Sequence, residues 1–223
     1  MLRIIGGEFR RRRLRTPKDA STTRPLPDRV RTAVFNMLKG HLDGRTVIDV
    51  FAGTGSFGLE AISRGAAEAV LIERDRGVGS LLKGNIEDLG AADRARPVIA
   101  DALGPAALAA APPECHVVLF DPPYPMVRDP DTRRRVFDQF ARFAALLDDD
   151  GFALLRTPYP FFEPPPAHRT PETNDPDDPD AEAGPIDPNT RRVPVSLDVP
   201  GCDGPETHVY GSTAVHWYMR ERS

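Results

Sequence analysis

Residues 47–58 read VIDVFAGTGSFG. Val47, Ile48 and Val50 make a short apolar run, as a strand buried on both faces would show, and the run ends in a glycine loop. Gly53, Gly55 and Gly58 fit G-x-G-x-x-G, directly after that strand and opening the stretch 56–64, which suits a helix. Glycines let the backbone turn tightly and approach a ligand with no Cβ in between. Twenty residues past Gly53, Glu73 closes a second apolar run, AVLIE (69–73). A carboxylate at the end of a second strand can accept both hydroxyls of a ribose.

Outward from this core the chain alternates. Strands are expected at 95–100 (ARPVIA), 116–120 (HVVLF) and 151–156 (GFALLR), with helices over 77–89, 102–110 and 131–147 between them. Alternating βα units with continuous apolar strands mean a parallel sheet covered on both faces. RVPVSLDV (192–199) and HVYGSTAVHWYM (208–219) read as two more strands with no helix between, hence an antiparallel hairpin. At the other end, 2–15 reads as a β-hairpin turning at Gly6-Gly7, and 16–27, with three prolines, as a linker. Asp28 offers an N-cap for a helix over 29–39, whose Val30, Ala33, Val34, Met37 and Leu38 share a face.

The 223 residues suffice for one generous domain. No apolar stretch reaches membrane-spanning length, and the few apolar residues before the first arginines do not make a secretory signal, so a soluble cytoplasmic protein is expected. Cys115 and Cys202 alone make neither a zinc site nor a disulfide framework, and five scattered histidines suggest no metal. The net charge of −4 hides two opposed tracts. Residues 1–31 hold ten Lys/Arg against three acids, and 163–189 hold eight acids against one arginine. A basic end on an acidic chain suggests a polyanion partner, although a solvated arm has the same composition. Residues 158–191 carry ten of the 24 prolines and the run NDPDDPD, and read as a disordered insertion.

The glycine loop and Glu73 fit NAD, FAD or S-adenosylmethionine. Asp49 favours the last. A carboxylate beside the loop repels a pyrophosphate but attracts the ammonium and sulfonium of S-adenosylmethionine. The bland alternative is a tight strand–helix turn with a surface acid. Asp121-Pro122-Pro123-Tyr124 follows the fourth strand. Ligands of open parallel sheets sit at the carboxyl ends of strands, near the point where strand order reverses, so the tetrapeptide lies beside the glycine loop. Asp121 and the Pro122 carbonyl can accept the N–H groups of an exocyclic amine, the two prolines stiffen the backbone, and Tyr124 offers a face on which an extruded base stacks. A rigid turn with an Asp cap is the competing explanation. Asp101 is placed either to accept from an adenine amine or to N-cap a helix starting at Ala102. Asn85 is either functional or a surface residue.

With LRIIGGEFRRRRL, RPLPDRVRTAVFNML, VIDVFAGTGSFGLEAISRGA, VLIERD, FDPPY and VYGSTAVHWY in hand, the chain resembles the bacterial 16S ribosomal RNA guanine-N2 methyltransferases that modify guanine 966. The likeness spans nearly everything outside 158–191. It implies a class I methyltransferase fold, a Rossmann-like seven-stranded mostly parallel sheet with helices on both faces, preceded by an N-terminal β-hairpin that serves RNA binding. The implied domains are 1–27, basic and RNA-binding through Arg10, Arg11, Arg12 and Arg13, and 28–223, the catalytic unit. Cofactor residues carry over to Asp49, Phe51, Gly53, Gly55, Glu73 and Asp101, and catalysis to Asp121, Pro122, Pro123 and Tyr124. The implied cofactor is S-adenosylmethionine, and the partner is 16S rRNA in an assembling small subunit. Leu26-Pro27 stand where the family usually has threonines. Rival readings are an N6-adenine DNA methyltransferase, an NAD-dependent oxidoreductase and a non-catalytic RNA-binding protein.

Overall fold

The computed structural model describes residues 2–17, 28–163 and 192–221. Residues 18–27 of the expected linker and 164–191 of the expected insertion lie outside them. Along the chain come α1 (Asp28–Met37), β1 (Thr46–Asp49), α2 (Gly58–Ser63), β2 (Glu68–Glu73), α3 (Arg76–Leu89) and β3 (Ala95–Ile99). Then follow α4 (Pro105–Ala109), β4 (Cys115–Phe120), α5 (Tyr124–Arg128), α6 (Pro130–Ala144), β5 (Leu147–Pro158), β6 (Cys202–Tyr210) and β7 (Thr213–Arg220). The strands form one sheet in the order β3-β2-β1-β4-β5-β7-β6. β1 to β5 run parallel, and β7 is antiparallel to both its neighbours.

Alternation along each strand sends successive side chains to opposite faces, and both faces are covered. Val47, Leu71, Val117 and Leu154 pack with Val34 and Phe35 of α1, Leu59 of α2 and Leu82 of α3 on one side. Ile48, Val70, Phe120 and Leu155 pack with Val136, Phe140 and Phe143 of α6 on the other. That two-sided burial is why the inner strands read as continuous apolar runs.

Three expectations need correction. Residues 192–199 do not form a strand. Among the described residues they make a single bridge, Phe162–Pro194, closed by Glu163 N–H to the Val193 carbonyl at 2.8 Å and Val195 N–H to the Phe161 carbonyl at 3.1 Å, so Pro194 sits at a position that uses no N–H. Val195 and Val199 are buried from a loop whose Leu197 carbonyl accepts from Tyr218 Oη at 2.8 Å. The C-terminal hairpin lies within 202–220: the run 208–219 is interrupted by a two-residue turn between the paired Tyr210 and Thr213, made possible by Gly211 at φ +65°. The helix expected at 102–110 shrinks to 105–109, with Gly104 as N-cap and Pro105 in the first turn. Residues 158–163, assigned from the sequence to the insertion, lie among the described residues. β5 continues to Pro158, and Glu163 N–H donates to the Val193 carbonyl at 2.8 Å.

The N-terminal arm pairs only loosely with itself, through one bridge, Arg3–Arg13, and bonds such as Ile4 N–H to the Arg12 carbonyl at 2.9 Å. Leu2, Ile4 and Leu14 belong to the same core cluster as α1, α2 and α3. Gly7, at φ +74°, lies so close to α2 that a Cβ there would sit 1.6 Å from the Ser63 carbonyl oxygen.

Candidate active site

Strand order reverses between β1 and β4, so their carboxyl ends open a crevice. Asp49 pairs with Leu119, which places the glycine loop and residues 121–124 on adjacent strand ends. The two loop glycines have different tasks. Gly53, at φ +55°, has open space where a Cβ would stand, so its backbone can meet a ligand. A Cβ on Gly55, at φ +90°, would come within 2.6 Å of Leu82 and 2.8 Å of Leu59, so this glycine lets the loop rest on α2 and α3.

Glu73 reaches back from the end of β2 and accepts from Gly53 N–H at 3.0 Å and from Asp75 N–H at 2.7 Å. An ionised carboxylate offers about four acceptor positions, so two remain for a ribose. Asp49 is 1% exposed and accepts from Gly58 N–H at 2.8 Å, at the start of α2. Burial pushes its carboxyl up to about 7, with Asp121 and Glu73 pushing the same way and the Gly58 bond opposing. Phe51 packs edge-on against Phe120, 5.0 Å between centroids. Asp101 is exposed and accepts from Leu103 N–H at 3.1 Å, so it holds a turn ahead of α4 rather than capping the helix.

In the tetrapeptide, Pro122 is buried and Pro123 is N-cap of the unforeseen helix α5. Burial raises the Asp121 carboxyl, against the pull of a guanidinium absent from the sequence expectation: Arg156, on β5, donates from Nε to Asp121 Oδ1. Arg156 Nη1 also donates to Tyr124 Oη at 3.2 Å, and its Cζ stands 4.8 Å from the Tyr124 ring centroid. Tyr124 Oη donates to Thr213 Oγ1 at 2.7 Å. The signal for Arg156 was present in the sequence. It is the charge that ends GFALLR, and the ends of parallel strands are where ligands meet this kind of sheet.

Three buried polar residues tie the arm to α2 and, through Asn85, to the glycine loop. Glu60, fully buried, accepts from Ile5 N–H at 2.6 Å, Gly6 N–H at 2.8 Å and Arg64 Nε at 2.7 Å. Ser63 Oγ accepts from Phe9 N–H at 2.9 Å and donates to the Gly6 carbonyl at 2.6 Å. Asn85, 1% exposed, accepts from Arg15 N–H at 2.7 Å and donates to the Thr54 carbonyl at 2.9 Å. It is therefore neither a surface residue nor a free functional group. Arg10 to Arg13 are all exposed. Arg10 and Arg11 line a hollow of about 360 Å³ with Arg3, Asp28 and Thr32, whereas Arg12 donates to the Asp88 carbonyl of α3. Among the described residues no cluster of three or more His, Cys, Asp or Glu could hold a metal, and no helix is long and apolar enough to cross a membrane.

A parallel sheet extended by a reversed last strand, with its crevice at β1 and β4, is that of the class I methyltransferases, and the protein is a methyltransferase of this class. Residues 2–157 match the family described as Conserved hypothetical protein 95. Ribosomal RNA small subunit methyltransferase D of Escherichia coli is 39% identical over 151 residues, covering 68% of this chain and 69% of its own. Its namesake in Haemophilus influenzae is 34% identical over 124 residues, covering 55% and 64%. The solved structure of yhhF from Escherichia coli superposes with a TM-score of 0.69 at 29% identity, over 99% of this chain and 98% of that one. The chain belongs to this family, that of the small-subunit ribosomal RNA methyltransferases.

Proposed function

We propose that the protein transfers a methyl group from S-adenosylmethionine to the exocyclic N2 amine of a guanine in 16S rRNA, within an assembling small subunit. The carrying observation is the juxtaposition of Asp121–Tyr124 with the glycine loop at the point of strand reversal. The residues present fit the cofactor: an open backbone at Gly53, spare acceptor positions on Glu73 and an enclosed carboxylate, Asp49, for a cation. When bound, S-adenosylmethionine supplies an electrophilic methyl group on a sulfonium.

The chain's own residues supply position and polarity. Glu73 takes the ribose hydroxyls, Asp101 the adenine amine, Phe51 flanks the adenosine, and Asp49 faces the cationic end. Asp121 and the Pro122 carbonyl accept the two N–H groups of the target amine, which holds the nitrogen toward the methyl, and Tyr124 receives the flat face of the base. Much of the rate gain comes from this positioning and from excluding water. The exposed arginines of the arm bring in the phosphate backbone.

The test is incubation of hypomethylated small subunits with tritiated S-adenosylmethionine, followed by mapping of the label; guanine N2 is expected. Asp121→Ala should keep S-adenosylhomocysteine binding within a few-fold while transfer falls by about 10² or more. Transfer near the parental rate would return Asp121 to the role of a turn cap. A thermal shift with NAD in place of S-adenosylhomocysteine would point to the oxidoreductase reading instead.

A further inference from the structure

The target base needs two things from the tetrapeptide: an acceptor for its amine and a flat ring to lie on. Both are in use. The Arg156 guanidinium donates to Asp121, donates to Tyr124 Oη and stands over the Tyr124 ring at 4.8 Å. Both groups are partly buried yet still reach solvent, with side chains 17% exposed at Arg156 and 22% at Asp121. Arg156 also sits at the head of the crevice, since β5 is the strand beside β4 and Phe120 pairs with Leu155.

We infer that Arg156 is a placeholder for the target base, occupying its seat in the free enzyme and yielding it when guanine arrives. This rests on the reading of Asp121–Tyr124 as the base site. The match is chemical. A guanidinium is a planar N–C–N unit with N–H donors on its nitrogens. Guanine offers the same unit along N1–C2–N2, with N–H on both nitrogens. In adenine and cytosine the amine stands beside a bare ring nitrogen, an acceptor, which would face the Asp121 carboxylate with the wrong polarity. Arg156 places one donor, Nε, on Asp121 and a second, Nη1, on Tyr124 Oη. A base that displaces the ion pair must replace the bond to Asp121, and guanine can do so with an N–H on either nitrogen of the matching unit. A cation resting on an aromatic face is also held firmly enough to keep the seat closed to water and weakly enough to leave.

Displacement separates this role from a fixed positioning role. kcat/KM reports groups in the free enzyme, and kcat reports groups in the complex. In the free enzyme Arg156 lowers the Asp121 carboxyl against the effect of burial. Arg156→Ala should therefore move the acid limb of kcat/KM to higher pH. The acid limb of kcat should not move, because in the complex Arg156 has already left Asp121. On the alkaline side of both limbs, KM for the small subunit should fall by about fivefold, since the seat no longer has to be vacated. Millimolar guanidinium, against sodium at equal ionic strength, should compete with RNA in Arg156→Ala by refilling the seat. Arg156→Gln, which keeps a neutral donor, provides the same readouts if the alanine variant folds poorly, with S-adenosylhomocysteine binding as the check on folding.

A kcat limb that shifts together with kcat/KM, or a rate loss of about 10² that guanidinium restores, would show that Arg156 stays on Asp121 during transfer and would overturn the inference. An unchanged KM would overturn it as well. Label mapped to adenine or cytosine would overturn the guanine assignment, while the kinetic comparison still decides whether Arg156 is displaced.

Discussion

Asp49 is a buried carboxylate in the crevice with two other carboxylates acting on it. Its carboxyl titrates near 7 in the folded chain against 3.8 ordinarily, chiefly through burial. The folded state thus binds a proton that the unfolded state has released, so the contribution of Asp49 to stability is full at low pH and is lost as pH rises from about 4 to about 7. A cationic ligand reverses the preference by favouring the ionised form. S-Adenosylmethionine affinity should rise with pH up to about 7, by at most tenfold per unit, and level off above it. Asp49→Asn should flatten that profile and weaken binding more than Glu73→Gln does. Calorimetric titration between pH 5.5 and 8 checks both; a parental affinity independent of pH would remove Asp49 from the cationic end. His216 shows the opposite sign. Burial lowers its imidazole to about 4. Its ring nitrogens lie 2.8 Å from Thr157 Oγ1 and from Thr207 Oγ1. The unfolded state takes up a proton near 6.5 that the folded state refuses, so stability holds above about 6.5 and drains away as pH falls toward 4, by up to about 3 kcal/mol. Because Asp49 contributes the opposite trend over the same range, urea unfolding must compare the parent with His216→Gln: between pH 7 and pH 5 the parent should lose about 2 kcal/mol relative to the variant.

The arm shows what an element gains by docking. A fourteen-residue hairpin would be marginal alone. Here Leu2, Ile4 and Leu14 join the core under α1, and Glu60 satisfies two arm N–H groups from within α2. The rigid base leaves its arginines unequal. Arg10 and Arg11 face the hollow beside α1, and Arg12 is committed to the Asp88 carbonyl. Changing Arg10 and Arg11 to Ala should flatten the salt dependence of RNA binding, by up to about 0.7–0.9 log units of slope for each phosphate that is no longer neutralised. Arg12→Ala should change the slope less, and cofactor affinity should stay level in both. Equal slopes for the parent and the double variant would make these arginines a solvated arm.

For the molecule as a whole, the basic arm and the acidic tract stand on either side of β1 to β5 in sequence, and β6 and β7 follow the tract. The chain enters the tract from Glu163 and leaves it near Val193, and these two residues are joined by a backbone hydrogen bond of 2.8 Å. The described residues on either side of 164–191 are therefore held together by backbone pairing. Replacing residues 164–191 by a short Gly/Ser linker should leave the melting temperature and S-adenosylhomocysteine affinity unchanged, and RNA affinity level or slightly higher at low salt, where repulsion is least screened. Loss of subunit methylation with cofactor binding intact would make the tract a docking segment for a basic partner.

The sequence by itself determined the sheet and the loop. VIDV, AVLIE and HVVLF are apolar on both faces, and only a two-sided parallel sheet buries such runs. Gly53 and Gly55 announce themselves because their positive φ favours glycine, and Glu73 because a carboxylate at the end of the second strand reaches the loop's N–H. What the sequence could not decide was how distant residues pair. RVPVSLDV looks as strand-like as any segment, yet among the described residues it meets only Phe162 in a single bridge and buries Val195 and Val199 from a loop. Asn85 and Glu60 read as ordinary helix positions until the arm arrives to use their side chains. Arg156 lies 35 residues from Asp121 along the chain and comes to it only because β5 lies beside β4. Local propensity and periodicity act over a few residues and are legible in order. Partner choice for a buried polar or charged group depends on which strand ends the topology brings together, and only the folded chain settles that.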